Sequence, residues 1–367
     1  LPELGGAQLL EAHDFDGNRE LDLVASGSFG LRVALRDYYN LDPAREHFVE
    51  TLLPAAPAAF ECLDLGNDDD LDVIAAMEGT RVLFEAVAKK DEPSGVSLTV
   101  FERCAIPMPA LPSAPSALLA ADYDHDGDLD LVAAGAFGAR LLRCDGANQG
   151  EPVDARFAGQ FTDATSQSGI PESGDFGWVV SEDYDSGQDV DFLFGGKSEC
   201  VLAASLRGGR FADVTVSVFG ARPTIAREPL VADFDGDGRP DICAPGDPSR
   251  LWLRTRDGRY VEREHLLAIP ASASQWIGTD LDLNGDIDLL WNGVDDLAGV
   301  ALSLATAQEL VGRITGPAAD GPLAVCDYDR DLQPEILRAT MAGVEVFDVT
   351  SKLPKGSLQE WFGKKDN

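Results

Sequence analysis

The residues best suited to chemistry lie in one acidic nine-residue loop, 122–130. Asp122, Asp124, Asp126 and Asp130 occupy places 1, 3, 5 and 9 of this loop. Carboxylates two residues apart in a tight loop can converge on one hard cation, and Gly127 at place 6 permits the positive φ that turns the loop back. Such an oxygen-only set suits Ca²⁺, which accepts roughly six to eight oxygens, better than Mg²⁺, which demands near-ideal octahedral geometry.

The pattern recurs along the chain, which distinguishes it from a single solvated acidic turn. Loops that start at 14, 64, 122, 183, 233, 280 and 327 share it and are called loops 1 to 7. Besides loop 3, four loops keep all four oxygen ligands: Asp14, Asp16, Asn18 and Asp22; Asp233, Asp235, Asp237 and Asp241; Asp280, Asp282, Asn284 and Asp288; and Asp327, Asp329, Asp331 and Glu335. The sequence therefore predicts about five Ca²⁺ sites.

The other two loops each lack one ligand. Loop 4 has Gly187 at place 5, and loop 2 has Gly66 at place 3. The ligands that these two loops retain are Asp183, Asp185, Asp191, Asp64, Asp68 and Asp72. Metal binding is left open for both loops. Loops 1 and 7 depart differently, because they have no glycine at place 6, where loop 1 carries Arg19.

The EF-hand is the obvious alternative for such a loop. It begins similarly, but it needs a bidentate Glu at place 12 and a helix on each side. Place 12 is Ala133, Ala244 and Trp291 in loops 3, 5 and 6. The flanking segments also have the pattern of strands, so the sequence does not predict an EF-hand.

The spacing of the loops predicts the elements that hold them. Successive loops start 50, 58, 61, 50, 47 and 47 residues apart, a period typical of propeller blades. Each period contains short apolar runs bounded by Gly, Pro and Asp, whereas sustained 3.6-residue periodicity is absent. Four strands in each of seven periods predict one all-β domain over 1–367. This domain is a seven-bladed β-propeller in which each acidic loop joins the first and second strands of a blade.

The same pattern predicts how the blades pack. The strand that leads into each loop is expected to line the central channel, and the apolar residue at place 2 is expected to pack between blades. These residues are Phe15, Leu65, Tyr123, Tyr184, Phe234, Leu281 and Tyr328. Because Leu1–Gly6 is too short for an outer strand, Ser357–Phe362 is expected to complete the seventh blade.

Composition narrows the range of partners. The chain has 367 residues, 44% of them hydrophobic, and a net charge of −35. A negative field of this size disfavours nucleic acid, which needs a basic footprint, and it also disfavours anionic membrane surfaces. No run of about 18 apolar residues is present, so no membrane insertion is expected. The chain begins at Leu1 without a visible signal peptide, which is typical of a processed or trimmed protein.

The six cysteines are spread over different repeats. They are Cys62, Cys104, Cys144, Cys200, Cys243 and Cys326. None forms a CxxC pair, so the sequence predicts no zinc site. Buried free thiols are the expected state, although the sequence cannot exclude a disulfide.

At this point the loops resemble those of a known family. Asp-φ-Asp-x-Asp-Gly-x-x-Asp loops at blade spacing resemble FG-GAP/VCBS repeats, the repeats of the integrin α-subunit head. Phe161–Thr165 and Phe211–Thr215, read as strands, resemble bacterial VCBS proteins and the cartilage acidic protein family. The resemblance covers nearly the whole chain. It implies Ca²⁺ in the loops on one propeller face and a secreted or periplasmic setting, but it carries over no partner or activity.

The sequence shows no convergent catalytic set, so we predict that the protein is not an enzyme. Its four histidines are His13, His47, His125 and His265. Two lie beside or within metal loops and two on outer strands, and no nucleophile, zinc-hydrolase or phosphate-binding motif occurs. The best enzymatic alternative is a Ca²⁺-dependent polysaccharide-active enzyme, for which the sequence singles out no base.

The face opposite the acidic loops is the candidate binding surface. Its aromatic and basic residues include Phe176, Trp178, Arg222 and Trp276, which could instead pack between blades. We predict an extracytoplasmic calcium-binding propeller that acts as a protein-binding, scaffold or adhesion module, possibly within a larger complex. A glycan-binding lectin is the main alternative.

Overall fold

The structure is a computed structural model. It describes residues 1–36, 47–65, 71–77, 80–90, 97–104, 108–145, 160–246, 249–263, 275–281, 283, 285, 287–292, 297–301, 312–315, 321–349 and 362–364. The strands in these ranges form seven sheets, each of four strands. Within every sheet the strands follow chain order and neighbouring strands are antiparallel.

The first four sheets have the following strands. Sheet 1 contains β1 (Ala7–His13), β2 (Asp22–Gly27), β3 (Gly30–Arg36) and β4 (His47–Leu53); sheet 2 contains β5 (Ala59–Leu63), β6 (Asp72–Met77), β7 (Thr80–Lys90) and β8 (Ser97–Cys104); sheet 3 contains β9 (Ala117–Ala121), β10 (Asp130–Gly135), β11 (Gly138–Asp145) and β12 (Gln160–Asp163); sheet 4 contains β13 (Phe176–Glu182), β14 (Asp191–Gly196), β15 (Val201–Ser205) and β16 (Phe211–Asp213).

The last three sheets repeat this arrangement. Sheet 5 contains β17 (Leu230–Ala232), β18 (Asp241–Ala244), β19 (Arg250–Arg254) and β20 (Tyr260–Arg263); sheet 6 contains β21 (Trp276–Thr279), β22 (Asp288–Asn292), β23 (Leu297–Ala301) and β24 (Gly312–Thr315); sheet 7 contains β25 (Leu323–Cys326), β26 (Glu335–Thr340), β27 (Gly343–Val349) and β28 (Phe362–Lys364). The acidic loops therefore join the first and second strands of the sheets, as predicted.

Helix is scarce in the described part of the chain. It comprises a 3₁₀ turn at Pro2–Leu4 and two short helices, α1 (Thr165–Ser168) and α2 (Thr215–Phe219). Both α-helices begin where the sequence predicted strand to continue. The reason is local: the Asp213 carboxylate accepts bonds from the backbone N–H and the hydroxyl of Thr215, which turns the chain out of the sheet. No helix among the described residues is long and apolar enough to cross a membrane.

The second strand of each sheet forms the centre of the packing. Every residue of β2, β10 and β14 is buried. Burial on both faces explains why these strands are continuous apolar runs without polar alternation. Residues of the second strands help to build separate hydrophobic clusters between sheets 1 and 2, 2 and 3, 3 and 4, 4 and 5, 5 and 6, and 7 and 1.

Six of the seven place 2 residues pack against the following sheet, and the seventh, Leu281, is buried. Phe15 meets Phe101 of sheet 2 edge-on, with ring centroids 5.7 Å apart, and Tyr123 meets Phe211 of sheet 4 at 6.1 Å. Leu65, Tyr184 and Phe234 occupy the corresponding positions in the clusters with sheets 3, 5 and 6. Tyr328 of sheet 7 joins the cluster of sheet 1, so the arrangement returns to its beginning.

The inner strands also make contacts from sheet to sheet. β1 contacts β25, β5 contacts β9, β9 contacts β13, β17 contacts β21, and β21 contacts β25. Sheets of consecutive antiparallel strands packed side by side in this way form an all-β propeller, as predicted from the repeat period.

Two details at the chain level complete the comparison with the sequence. The last strand of sheet 7 is β28, at Phe362–Lys364, rather than the predicted Ser357–Phe362, of which 357–361 lie outside the described residues. The five cysteines with described side chains are free thiols, as expected: Cys62 and Cys326 are half-buried, and Cys144, Cys200 and Cys243 are buried. The side chain of Cys104 lies outside the described part.

Candidate metal centres and a channel cavity

The described acidic loops share one backbone conformation. In loops 1, 3, 4, 5, 6 and 7 both place 4 and place 6 have a positive φ, between 57° and 94°. Glycine occupies place 6 in only three of them, Gly127, Gly238 and Gly285; Arg19, Gln188 and Leu332 hold the same left-handed conformation in the others. A Cβ there is strained by about 1 kcal/mol or more. The interior of loop 2, including Asp68, lies outside the described residues.

The carboxylate at place 1 fastens the turn. It accepts a hydrogen bond from the backbone N–H at place 6, as Asp122 does from Gly127 at 3.2 Å and Asp233 does from Gly238 at 2.7 Å. The same bond forms in loops 1, 4, 6 and 7, from Arg19, Gln188, Gly285 and Leu332. A single acidic side chain thus satisfies the backbone of the loop whatever residue occupies place 6.

The carboxylate at place 9 is buried in every loop, and in loops 1, 3, 4 and 5 it accepts a hydrogen bond from the third strand. In loop 3, Asp130 accepts the N–H of Tyr123 at 3.4 Å and the N–H of Cys144 on β11 at 2.7 Å. In loop 5, Asp241 accepts the N–H of Phe234 at 3.0 Å and that of Arg254 on β19 at 2.7 Å. The sequence predicted these residues only as metal ligands. Their structural role follows from the two backbone N–H groups that each satisfies inside the protein.

Carboxylates at places 1, 3 and 9 converge in four of the described loops. Each group has one carboxylate oxygen per residue within 4.8 Å of the others: Asp14, Asp16 and Asp22; Asp122, Asp124 and Asp130; Asp183, Asp185 and Asp191; and Asp233, Asp235 and Asp241. Loop 4 belongs to this set although it lacks the fourth ligand. The structure therefore brings together the predicted ligands at places 1, 3 and 9. It does so also in loop 4, which has no oxygen ligand at place 5.

The predicted ligands at place 5 of loops 1, 3 and 5 bind other groups in this structure. Asp126 uses its carboxylate to accept the N–H of Asp128 at 3.0 Å, and Asn18 accepts the N–H of Glu20 at 2.6 Å. Asp237 pairs with the guanidinium of Arg239. In these loops place 5 shapes the turn. Asp282 and Asn284 of loop 6 lie outside the described residues, whereas Asp280 and Asp288 begin and end that loop as predicted.

Several of the converging oxygens lack a partner. Oδ1 of Asp14, of Asp124 and of Asp327 is buried and has no hydrogen-bond partner among the described residues. Burying such an oxygen without a partner costs about 1–3 kcal/mol, more when the group is charged. A hard cation between places 1, 3 and 9 would coordinate these oxygens and remove that cost, so the donor set fits Ca²⁺.

Burial and crowding raise the pKa values of the place 9 carboxyls. The pKa of Asp130 is raised to about 8 and that of Asp22 to about 7, first because burial disfavours their charged forms. The pKa values of Asp191 and Asp241 rise to about 6 for the same reason. Neighbouring loop carboxylates add to each rise. A bound cation would act in the opposite direction and favour the ionised forms.

Two of the four residues predicted on the binding surface belong to the core. Phe176 is 1% exposed and Trp178 is 3% exposed. Trp178 donates its indole N–H to the carbonyl of Ile225, at 3.1 Å, between sheets 4 and 5. The prediction that these two side chains contact a partner is wrong, because the packing of adjacent sheets covers both rings. Arg222 is exposed and paired with Asp213.

Trp276 lies instead on the wall of a cavity of about 610 Å³. Its indole N–H donates to the carbonyl of Glu228 at 3.0 Å, and the Arg227 guanidinium lies 4.0 Å from its ring centroid. Gln275 exchanges two hydrogen bonds with the backbone of Leu323, which joins sheets 6 and 7 at this wall. The cavity is lined by the starts of inner strands from sheets 1, 5, 6 and 7. It therefore opens away from the acidic loops.

Sequence reasoning missed three features of these sites. Place 4 has a positive φ in every described loop, which Gly17 and Gly236 could have revealed in two of them. The place 9 carboxylate accepts N–H groups from the loop and from the third strand of the same sheet, a role that the acidic pattern alone did not indicate. The cavity wall depends on contacts between strands that are distant in sequence.

Comparison with known proteins matches this geometry. Residues 183–244, from the start of loop 4 to the end of β18, match the FG-GAP-like repeat family. No curated protein matches the sequence significantly. Among solved structures, a lectin from Agrocybe aegerita, described as recognising non-reducing terminal N-acetylglucosamine, is 16% identical with a TM-score of 0.52; the match covers 93% of this chain and 87% of that one.

A second solved structure, BBS1N in complex with ARL6DN soaked with mercury, is 11% identical with a TM-score of 0.54; the match covers 97% of this chain and 96% of that one. The same complex soaked with lead is 10% identical with a TM-score of 0.54 and covers 96% and 97%. At these identities the likeness concerns the fold alone.

Proposed function

Since this protein is an FG-GAP repeat β-propeller, we propose that it is a calcium-stabilised binding or scaffold module that works outside the cytoplasm and binds another protein. The observation that carries the calcium part is the set of buried, unpartnered oxygens on Asp14, Asp124 and Asp327. They lie in loops whose donor atoms are all oxygen, which is the ligand type that Ca²⁺ prefers.

The proposed sites are loops 1, 3, 5, 6 and 7, in which the sequence keeps all four oxygen ligands. Loop 4 is an additional candidate, because Asp183, Asp185 and Asp191 converge as closely as the ligands of the intact loops. Backbone carbonyls and water would complete the coordination, since three carboxylates alone leave Ca²⁺ undercoordinated.

The extracytoplasmic setting follows from affinity. Extracellular modules of this kind bind Ca²⁺ with dissociation constants of about 10⁻⁴–10⁻³ M. Such sites fill at about 1 mM free Ca²⁺, and each would then stabilise the fold by up to roughly 1.4 kcal/mol. A cytosolic concentration several orders of magnitude lower would leave them empty.

We further propose that the seven sheets are seven blades of one closed ring that forms a single domain over 1–367. The contacts of β1 with β25 and of Tyr328 with the sheet 1 cluster support closure. A closed ring unfolds as one unit, so calorimetry should show one transition with equal calorimetric and van't Hoff enthalpies. Two separable transitions would contradict the single domain.

Binding is proposed in preference to catalysis, because the converging carboxylates already hold the loop backbone and the third strand by hydrogen bonds and are proposed to bind Ca²⁺. The cavity lined by Trp276, Arg227, Gln275 and Glu11, here called the channel cavity, supports a second candidate function, that of a sugar-binding lectin. An aromatic ring, a guanidinium, an amide and carboxylates around about 610 Å³ suit a sugar, and pockets of about 300–1,000 Å³ hold small ligands. A glycan array with the native protein and with Trp276→Ala separates the two functions: sugar binding lost in the variant favours the lectin.

The calcium proposal is tested by metal analysis and melting. In equilibrium dialysis against about 1 mM Ca²⁺ the protein should bind several equivalents of calcium, and EDTA should lower its Tm by many degrees. Ca²⁺ should restore the Tm much better than Mg²⁺. Asp124→Asn should remove one equivalent, whereas Glu199→Gln, an exposed carboxylate outside the loops, should remove none. An unchanged melting curve in EDTA together with no bound calcium would refute the proposal.

A further inference from the structure

Three donor residues meet at the inner strands of sheets 1 and 2, outside the acidic loops. Glu11 and His13 lie two residues apart on β1, so their side chains share one face of the strand. Cys62 lies on β5, the neighbouring inner strand. One carboxylate oxygen, one imidazole nitrogen and the thiol sulfur all lie within 4.8 Å of one another.

The group is held in place by its surroundings. His13 Nε2 and Glu11 Oε2 are 3.0 Å apart, and the His13 ring packs edge-on against Phe15 with centroids 5.7 Å apart. Cys62 packs against the hydrophobic cluster between sheets 1 and 2. The side chains of His13 and Glu11 are 33% and 41% exposed, so an ion can reach them from solvent.

The donor types differ from those of the loops. The loops offer oxygen alone, which selects hard cations, whereas a thiol sulfur and an imidazole nitrogen select borderline ions. Zn²⁺ binds Cys, His and Glu ligands together, and three protein ligands with one open position form a known type of zinc site. We propose that Glu11, His13 and Cys62 bind one Zn²⁺ ion.

Zinc coordination at this site would leave a fourth position, because three protein ligands do not complete a tetrahedron. Glu11 also lines the channel cavity, so the fourth position can face solvent or a ligand there. The thiol proton of Cys62 would be released to solvent on binding, since zinc binds the thiolate. This site does not depend on calcium in the loops, so either proposal can fail alone.

The sequence has no CxxC pair and was therefore predicted to have no zinc site. The residues that precede loops 1 and 2 nevertheless indicate the site proposed here. Glu11, Ala12 and His13 precede loop 1, and Glu61, Cys62 and Leu63 occupy the same three positions before loop 2. Inner strands of adjacent propeller blades lie side by side. Donor residues among the last three positions before consecutive loops can therefore meet, as His13 and Cys62 do across 49 residues of sequence, although Cys62 is equivalent to Ala12.

The first test uses Co²⁺ as a spectroscopic substitute for Zn²⁺, with Ca²⁺ in excess to occupy the loops. Native protein should bind one equivalent with a sulfur-to-cobalt charge-transfer band, which Zn²⁺ displaces. Cys62→Ser should abolish the band, and His13→Ala should weaken zinc affinity by more than about tenfold. Cys326→Ser is the matched control, because Cys326 is also half-buried just before an acidic loop; it should keep the band.

The second test needs no variant and remains valid if a substitution prevents folding. Native protein is alkylated with iodoacetamide, with and without one equivalent of Zn²⁺, and the labelled peptides are quantified by mass spectrometry. Zn²⁺ should slow labelling of Cys62 and leave labelling of Cys326 unchanged. A cobalt spectrum without a sulfur band, or Cys62 labelled equally fast with Zn²⁺, would overturn the proposal.

Discussion

Loops 3 and 4 follow one another in the chain and fold alike, although their sequences differ where metal binding should matter most. Loop 3 has Asp126 and Gly127 at places 5 and 6, whereas loop 4 has Gly187 and Gln188. Both have positive φ at places 4 and 6. In both, the place 1 carboxylate accepts the place 6 N–H, and the place 9 carboxylate reaches the third strand.

The comparison teaches that the loop's shape and its metal chemistry are separable. Carboxylates at places 1 and 9 define the shape by hydrogen bonds alone, so a loop that has lost its place 5 ligand keeps its fold. In loop 4 the Arg207 guanidinium pairs with Asp189 at 3.0 Å, and the His125 ring of loop 3 lies 3.2 Å from the same carboxylate. A Cβ at Gly187 would meet Asp185 Oδ1 at 2.5 Å, so a side chain at this position requires the Asp185 carboxylate to shift.

The largest effect on the free energy of unfolding should come from the place 2 residues, and we expect it to be the same in loops 3 and 4. Tyr123→Ala and Tyr184→Ala each remove a buried ring between sheets and should lower the free energy of unfolding by about 3–5 kcal/mol. Urea denaturation measures both. A loss below about 1 kcal/mol in either variant would show that this ring does not join the sheets there.

The next largest loss of stability should come from removing the place 9 carboxylate, which holds the loop to the third strand by hydrogen bonds. Asp130→Ala leaves the N–H groups of Tyr123 and Cys144 without an acceptor, and Asp191→Ala does the same for Asp185 and Ser205. Each variant should lose about 2–4 kcal/mol, with or without Ca²⁺. If stability is lost only in the presence of Ca²⁺, the place 9 carboxylate acts as a metal ligand and its hydrogen bonds to the backbone add little.

A smaller effect should separate the loops by calcium. Raising Ca²⁺ to about 1 mM should slow hydrogen exchange in 122–130 by about tenfold, the equivalent of roughly 1.4 kcal/mol. Exchange in 183–191 should slow less, because loop 4 has three ligands and a nearby guanidinium. Asp124→Asn serves as the control that removes the response in loop 3. Equal slowing of hydrogen exchange in both native loops would show that loops 3 and 4 respond to Ca²⁺ alike.

The smallest effect should come from place 6. Gly127→Ala should destabilise the protein by about 1 kcal/mol through backbone strain, since no atom lies within 4 Å of the added Cβ. Gln188→Gly should stabilise it by up to about 1 kcal/mol, because the φ of 63° suits glycine. Thermal melting of both variants checks the opposite signs. Two changes of the same sign would contradict the shared left-handed conformation.

The sequence was sufficient for most of what repeats within one period, although it did not reveal the place 9 hydrogen bonds. Loop positions, the four-strand pattern and burial of place 2 all follow from residues within about fifty positions of one another. It was insufficient where sheets meet: Phe176 and Trp178 looked like surface residues because the neighbouring sheet that covers them is invisible in local pattern. The meeting of His13 with Cys62 is likewise a contact between two sheets. The hydrogen bond from the Cys144 N–H to Asp130 lies within one sheet, but the acidic pattern indicated a metal ligand at that position and not a structural acceptor.

The contact of place 2 residues with the following sheet gives the arrangement a direction, and this matters while the chain is being synthesised. Phe15 cannot complete its packing until β8, the last strand of sheet 2, has left the ribosome with Phe101. Tyr123 must wait in the same way for β16 and Phe211. Sheets 1 and 3 therefore remain incompletely packed for one further repeat of translation, with an aromatic ring exposed to chaperones during that time. Sheet 7 does not wait, because Tyr328 packs against sheet 1, which is synthesised first.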